Sequence, residues 1–195
     1  MTKQECVDDE HSLFGKLFSS FFSTNIFSLR TLASSNRDTD RKIVRIYSDG
    51  ACSNNQQRKN FGGWGAVLFW GGKSREIFGG EADTTNQRME LTAIVKALGE
   101  LKVATYPVEI YSDSAYIVDC ITKKWYAKWL RNGWLTSSKE EVKNRDLWMA
   151  LLDLLAPLEV SFIKVKGHAG DEGNERADFL ARRGVEEIKN AVRPS

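Results

Sequence analysis

The sequence predicts an α/β domain with a five-stranded mixed sheet: a three-stranded antiparallel meander plus two parallel strands, flanked by helices. Two β-rich segments lie on either side of Gly71-Gly72, a dipeptide that is typical of a two-residue hairpin. Two later β-rich segments are reached through helical stretches, as parallel crossovers require. At 195 residues the chain is long enough for one such domain with a sizeable core.

The predicted elements follow one another without an internal repeat. Strands are expected at residues 43–48, 64–70, 74–80, 108–112 and 160–165. Helices are expected at residues 86–101, in the stretch that runs up to residue 155, and at residues 173–184. Thr84, followed three residues later by Gln87, predicts a capping box before the first helix.

Composition excludes several classes of protein. Lys and Arg (28) nearly balance Asp and Glu (26), so the net charge of +2 does not by itself indicate a polyanion binder. The three scattered cysteines, Cys6, Cys52 and Cys120, indicate a reducing compartment rather than a disulfide scaffold or a zinc knuckle. We therefore expect a cytoplasmic protein, with the nucleus or an organelle open for a eukaryotic chain. No membrane span is expected, because no segment reaches about 18 unbroken apolar residues.

Residues 1–40 differ in composition from the rest and are interpreted as an N-terminal extension, before a domain at residues 41–188 and a tail at 189–195. Apolar residues recur in the extension at helical spacing, which predicts an amphipathic docking helix or a flexible arm. Two other interpretations stay open. The acid-free stretch 11–37 is similar to an organelle presequence, although the first ten residues are acidic. Residues 15–22 resemble a sliding-clamp-binding peptide, with Gly15 in place of its glutamine.

Four acids are predicted to point inward at one edge of the sheet. Asp49 and Asp113 each follow a predicted parallel strand, and the carboxyl ends of such strands build sites in α/β sheets. Glu90 shares a helical stripe with apolar residues, and Asp178 does so on the last helix. Four inward acids cannot all stay ionised unless cations neutralise them, and oxygen ligands favour Mg²⁺ or Mn²⁺ over zinc.

The neighbours of these acids carry a resemblance to a known family. The four frames are Tyr47-Ser-Asp49-Gly-Ala51, Thr84-Thr-Asn-Gln-Arg-Met-Glu90-Leu91, Tyr111-Ser-Asp113-Ser-Ala-Tyr116 and Asn174-Glu-Arg-Ala-Asp178. With these motifs in this order, residues 43–185 resemble the type 1 ribonuclease H family. The resemblance implies a ribonuclease H-like fold and hydrolysis of the RNA strand of RNA–DNA hybrids, which leaves 5′-phosphate and 3′-hydroxyl ends.

The resemblance also implies a two-metal mechanism with Mg²⁺, for which Mn²⁺ can substitute. By position, Asp49 corresponds to the carboxylate shared by both ions. Asp178 corresponds to a ligand of the ion that delivers the attacking water, and Glu90 and Asp113 to ligands of the ion that stabilises the leaving oxygen. Paired cations suit this reaction because negative charge develops on both the entering and the leaving oxygen.

His168 matches the mobile histidine of the family. It lies in a loop that contains Gly167 and Gly170, which give the loop conformational freedom. An imidazole with an ordinary pKa of about 6.5 can transfer protons or assist product release near neutral pH. The alternative is a structural loop histidine.

Five further residues match family positions that contact the hybrid. Asn55, Asn86 and Gln87 correspond to residues near the cleavage site, where amides can bind the ribose 2′-hydroxyl that distinguishes RNA from DNA. Gln87 has the alternative role of a helix cap. Thr85 and Asn144 match a pocket that binds a DNA phosphate.

Cations alternate with tryptophans in residues 123–134. The segment resembles the basic protrusion of the family, in which Trp125 and Trp129 would contact the hybrid. Because these two residues are four apart, helix packing is an equal alternative. The hybrid-binding domain that some family members carry is not recognisable in residues 1–40. We expect a monomer, and a protein partner for the extension stays open.

Two other functions compete with this interpretation. A related nuclease or strand transferase of the same fold would keep the acids without needing Asn86-Gln87, the His168 loop and the tryptophan-rich segment together. A catalytically inactive hybrid-binding module would be expected to have lost an acid. The sequence has Asn86-Gln87, the His168 loop and the tryptophan-rich segment, and it keeps all four acids, so both alternatives are disfavoured.

Overall fold

The protein is represented by a computed structural model that describes residues 43–53, 60–101, 106–167 and 170–192. The strands are β1 (Val44–Ser53), β2 (Phe61–Trp70), β3 (Lys73–Ala82), β4 (Val108–Ser112) and β5 (Val160–Lys164). The helices are α1 (Asn86–Gly99), α2 (Ala115–Thr122), α3 (Tyr126–Arg131), α4 (Arg145–Leu155) and α5 (Glu172–Val192). None of the helices within these ranges has the length and apolarity needed to cross a membrane.

The mixed five-stranded sheet is confirmed. Its strand order is β3-β2-β1-β4-β5, with antiparallel pairing among the first three strands and parallel pairing of β1 with β4 and of β4 with β5. The hairpin between β2 and β3 turns at Gly71 and Gly72, whose φ angles are 55° and 75°. Two successive left-handed residues are what a two-residue hairpin needs, and glycine adopts them without strain.

The prediction that β1 ends before Asp49 is wrong. Parallel pairing with β4 does stop at Tyr47 opposite Tyr111, but antiparallel pairing with β2 continues as far as Ser53 opposite Phe61. The strand is therefore longer than its parallel ladder, because β2 supplies a partner that β4 does not. Asp49 lies inside β1 and still emerges just beyond the parallel ladder.

The boundaries of α1 also differ from those predicted. The N-cap is Thr85, whose hydroxyl accepts a hydrogen bond from the Arg88 backbone N–H at 3.3 Å, so the predicted cap at Thr84 is wrong. At the other end the helix stops at Gly99, two residues earlier than expected. The N–H groups of Glu100 and Leu101 bond back three residues, which tightens the last turn and closes the helix.

Each face of the sheet has its own helical layer. Residues on β1 and β4, such as Ile46 and Ile110, pack with α1 and α4 in the main core, around the fully buried Trp148. The opposite face carries α5. Adjacent residues of β2 face opposite sides of the sheet. A Cβ at Gly62 would meet side chains of Thr84 and Met89, whereas a Cβ at Gly63 would meet the α5 backbone.

Glycines allow α5 to lie directly on the sheet. Side chains at Gly63 and Gly65 of β2 or Gly80 of β3 would overlap the α5 backbone, and one at Gly184 of α5 would overlap β3. The contact is therefore backbone against backbone, closer than ordinary side-chain packing. This contact sets the position of Asp178, which lies on α5.

Candidate active site

Asp49 and Asp113 meet at the edge where β1 and β4 stop pairing. Asp113 directly follows β4, and the loop after β5 passes close to it: a Cβ at Gly167 would lie 2.8 Å from Asp113 Oδ2. Glycine at this position therefore leaves room for the carboxylate. The predicted convergence of the two acids is a consequence of parallel pairing, which aligns both strand ends.

Asp49 is the acid on which the charges of the other three act. Its pKa is raised from the usual value near 3.8 to about 7, chiefly because the carboxyl group is buried. The negative charges of Asp113, Asp178 and Glu90 also raise this pKa, while a hydrogen bond from the Gly50 N–H to Asp49 Oδ1, 2.7 Å long, opposes the shift. The other three predicted acids therefore all act on Asp49.

Glu90 reaches the site from the first turns of α1. Ser114 donates from Oγ to Glu90 Oε2 at 2.6 Å, and Asn86 donates from Nδ2 to Glu90 Oε1 at 2.8 Å. Burial raises the pKa of Glu90, the Ser114 hydrogen bond lowers it, and the charge of Asp113 raises it further. Both carboxylate oxygens are thus oriented by protein donors.

Asp178 approaches from α5 and is held by a neighbouring cation. Arg182 Nε donates to Asp178 Oδ1 at 2.9 Å, and Arg182 Nη2 lies 2.8 Å from Oδ2. The aspartate side chain is 19% exposed, whereas the arginine is 63% exposed. The carboxylate is therefore set into the site, while the guanidinium lies at its outer rim.

The donor set fits hard divalent cations. Asp49, Glu90, Asp113 and Asp178 offer only carboxylate oxygens, and burial of Asp49 among like charges makes a nearby positive charge favourable. Within the described ranges, no three Asp, Glu, His or Cys side chains already form a closed metal-ligand group. Glu90 and Asp178 instead have protein partners, which a bound ion would have to displace or share.

The two candidate phosphate-binding residues cap neighbouring helices. Thr85 is the N-cap of α1 and Asn144 the N-cap of α4. Arg88 links the two helix starts, since its Nη1 and Nη2 donate to the two carboxylate oxygens of Asp146 at 3.1 and 2.8 Å. Asn144 has a left-handed backbone (φ 57°), and its side chain makes no capping hydrogen bond. Gln87 lies exposed in the first turn of α1.

The two candidate tryptophans have different surroundings in the structure. Trp129 packs its ring against Trp148 and Trp134, at centroid distances of 5.5 and 6.3 Å. Trp125 is 37% exposed, and Lys123 Nζ lies 5.7 Å from the centroid of its ring. Packing thus accounts for the position of Trp129, whereas Trp125 is partly exposed and packs against the ring of Tyr116 at a centroid distance of 6.4 Å.

Asn55 and His168 lie outside the described residues. Two residues at the site were not identified from the sequence. Ser114 follows Asp113 directly and could have been found as a polar neighbour at a strand end. Arg182 is four residues after Asp178 on a predicted helix, a spacing at which opposite charges meet.

Comparison with known proteins identifies many relatives. A family model described as RNase H matches residues 41–186. A ribonuclease H of Syntrophomonas wolfei is 52% identical over 147 residues, covering 75% of this chain and 99% of that protein. A ribonuclease HI of Pseudomonas aeruginosa is 51% identical over 150 residues, covering 77% of this chain and 98% of that protein.

Solved structures agree with these matches. LC9-RNase H1, described as a type 1 RNase H with the type 2 active-site motif, is 30% identical with a TM-score of 0.66, covering 77% of this chain and 75% of its own. LC11-RNase H1 in complex with an RNA/DNA hybrid has a TM-score of 0.57 at 21% identity, covering 75% and 99% of the two chains. The second likeness concerns the fold alone.

Proposed function

The chain belongs to the RNase H family, and on this premise we infer that it is an endonuclease that hydrolyses the RNA strand of RNA–DNA hybrids to 5′-phosphate and 3′-hydroxyl ends. The observation that carries this inference is the buried Asp49 with three further acids close enough to raise its pKa. The relatives that support it are matched over nearly their whole length.

The four carboxylates are proposed to hold two divalent cations, Mg²⁺ by preference and Mn²⁺ as a substitute. Such ions would supply positive charge at the entering and leaving oxygens of the phosphodiester. Asp49 is the candidate shared ligand because it is buried among the other three acids. Ser114 and Asn86 orient Glu90 by their hydrogen bonds, and the backbone contact of α5 with the sheet sets the position of Asp178.

His168 is proposed to transfer protons near the site. In the chain it directly follows Gly167, which lies close to Asp113, and it precedes α5, which carries Asp178. An imidazole with its ordinary pKa of about 6.5 can both accept and donate a proton near neutral pH, which suits this reaction.

The hybrid is proposed to be bound by three groups of residues. Asn55, Asn86 and Gln87 contact the ribose 2′-hydroxyls, and Asn86 can use its amide oxygen as an acceptor while its nitrogen orients Glu90. Thr85 and Asn144 bind a phosphate of the DNA strand, since both lie at helix N-termini that Arg88 holds together. Trp125 stacks on the nucleic acid, and Trp129 supports the same segment from within.

Catalysis is assigned to residues 41–188, with residues 1–40 as an extension and 189–195 as a tail. The match of residues 41–186 to the family model supports this division. We propose a monomeric enzyme located in the cytoplasm. Because catalysis is assigned to the domain, removal of residues 1–40 should preserve hybrid cleavage in vitro.

The decisive assay compares four end-labelled substrates: RNA–DNA hybrids labelled on the RNA or on the DNA strand, double-stranded RNA and double-stranded DNA. With Mg²⁺, only the RNA strand of the hybrid should be cut, and EDTA should stop the reaction. Equal cleavage of double-stranded DNA, or cleavage that persists in EDTA, would contradict the proposal.

A further inference from the structure

Asp178 differs from the other three active-site acids in having a cationic partner. Arg182, one helical turn further along α5, contacts both of its carboxylate oxygens. Across the part of the chain that the structure describes, Asp49, Glu90 and Asp113 take part in no ion pair. The arginine is therefore the countercharge of one particular acid.

We propose that the guanidinium of Arg182 competes with a divalent cation for the carboxylate of Asp178 and thereby lowers the metal affinity of the site. The inference rests on the proposed function, because it takes Asp178 as a metal ligand. It goes further by giving Arg182, which is not among the proposed metal-binding or substrate-binding residues, a role in setting the metal affinity.

The competition follows from the two-point contact between the side chains. The guanidinium donates a hydrogen bond to Oδ1 and lies within ion-pair distance of Oδ2, so a cation that approaches either oxygen meets a positive charge already in place. A cation binding to Asp178 must displace this contact or bind beside a fixed positive charge. Either route makes metal binding weaker than it would be to a free carboxylate.

The exposures show which partner would move. Asp178 is 19% exposed and lies on the part of α5 that is in backbone contact with the sheet, so its carboxylate keeps its place. Arg182 is 63% exposed and can extend into water without breaking any core packing. Arg182 therefore acts as a displaceable countercharge, which stabilises the acid group without metal and yields it to a cation.

A matched control lies next to it on the same helix. Arg183 also forms an ion pair four residues along α5, with its Nε 3.3 Å from Glu187 Oε1, and it is 53% exposed. Replacing either arginine by glutamine removes one positive charge from α5 and keeps a polar side chain of similar length. Only Arg182→Gln frees a proposed metal ligand.

The test measures Mn²⁺ binding to the full-length protein by isothermal titration calorimetry, with neither hybrid nor Mg²⁺ present. Arg182→Gln should bind Mn²⁺ about fivefold more tightly than the wild type, because a unit charge close to a divalent ion is removed at a partly exposed site. Arg183→Gln should stay within about twofold of the wild type, because solvent and salt screen the more distant charge. Arg182→Lys, which keeps the charge without the two-point contact, should be intermediate.

Thermal unfolding with and without Mn²⁺ gives a second readout, since a tighter ligand raises the melting temperature more. The increase caused by Mn²⁺ should be larger for Arg182→Gln than for Arg183→Gln. Equal affinities and equal increases for the two variants would overturn the competition. A failure of the proposed function would be seen differently: the wild type would not cut the hybrid, or Asp49→Asn would bind Mn²⁺ as the wild type does.

Discussion

Replacement of Gly65 by alanine tests whether the backbone contact between α5 and the sheet positions the active site. Gly65 pairs with Asp49 across the β1–β2 ladder, and a Cβ there would lie 2.5 Å from the carbonyl oxygen of Ala177, the residue before Asp178. It would also lie 2.6 Å from the Ala181 nitrogen. One methyl group thus acts between two proposed metal ligands.

The magnitude follows from these distances. Ordinary contact for a Cβ begins at 3.4 Å, and the obstructing atoms belong to the helix backbone, so α5 has to retreat from β2 by about 1 Å. Overpacking of this kind costs about 2–3 kcal/mol, which lowers the melting temperature of a domain of this size by about 4–12 °C. Because a misplacement of about 1 Å can slow a reaction about 100-fold, the cleavage rate should fall to about 1% of the wild-type rate.

The assay combines thermal unfolding followed by circular dichroism with single-turnover cleavage of a hybrid at a temperature where the variant is folded. Gly99→Ala is the matched control, because a Cβ at the end of α1 meets nothing within 4 Å. It should retain full activity and gain up to about 1 kcal/mol from reduced freedom of the unfolded chain. If Gly65→Ala has the same melting temperature and cleavage rate as Gly99→Ala, then the glycines do not set the position of α5.

Three further predictions concern single side chains. The folded-state pKa of Asp49, about 7, lies above its ordinary value, so folding favours the protonated carboxyl. In EDTA the contribution of Asp49 to stability should therefore fall by on the order of 3 kcal/mol as the pH rises from about 4 to about 7. Asp49→Asn should flatten this dependence in thermal unfolding; an unchanged slope would place its source elsewhere. Trp129→Ala should destabilise the fold by about 3 kcal/mol by opening a cavity beside Trp148. Trp125→Ala should keep the wild-type melting temperature and weaken hybrid binding by about 1–3 kcal/mol. A loss of stability in Trp125→Ala with a loss of binding in Trp129→Ala would exchange the two roles. His168→Ala should cut the hybrid slowly but measurably, and His11→Ala, a change at the other histidine, is the control. Complete loss of cleavage in His168→Ala would make His168 a metal ligand or an obligatory base.

The sheet and its topology could be predicted because their signals are local. The double glycine at 71–72, the β-rich runs and the helical stretches between them were sufficient to predict the antiparallel meander and the two parallel strands, although not the order of the strands in the sheet. The length of β1 could not be predicted in the same way. Its second half is a strand only because β2 pairs with it, and the paired residues are between eight (Ser53 with Phe61) and sixteen (Asp49 with Gly65) positions apart in sequence.

The acids of the site could be predicted from their positions at strand ends and on inward helical stripes. The contact from Ser114 was harder to predict, because Ser114 reaches Glu90 only after the β4–α2 loop and α1 are brought together. Asn86 is four residues before Glu90 on the same helix, so its contact is local. Arg182 was identifiable by its spacing from Asp178, yet the same spacing also occurs in surface pairs of no consequence.

The close approach of α5 had a sequence signal that was not used. Three glycines, at positions 62, 63 and 65, interrupt the β-rich run of β2, and glycine within a strand marks a place where another backbone comes near. Which element approaches was not contained in that signal. The structure supplies it, since two of these glycines face the α5 backbone and one faces α1.

Asp113→Asn tests the central claim most directly, because it removes one proposed metal ligand while leaving the fold and the hybrid-binding surface intact. Hybrid cleavage in Mg²⁺ and hybrid affinity should be measured on the same preparation. We predict that turnover is abolished while the dissociation constant stays within about threefold of the wild-type value, because the nucleic acid is bound chiefly through phosphate and sugar contacts outside the acid cluster. Cleavage at the wild-type rate by Asp113→Asn would show that Asp49 and the three acids around it are not the catalytic site.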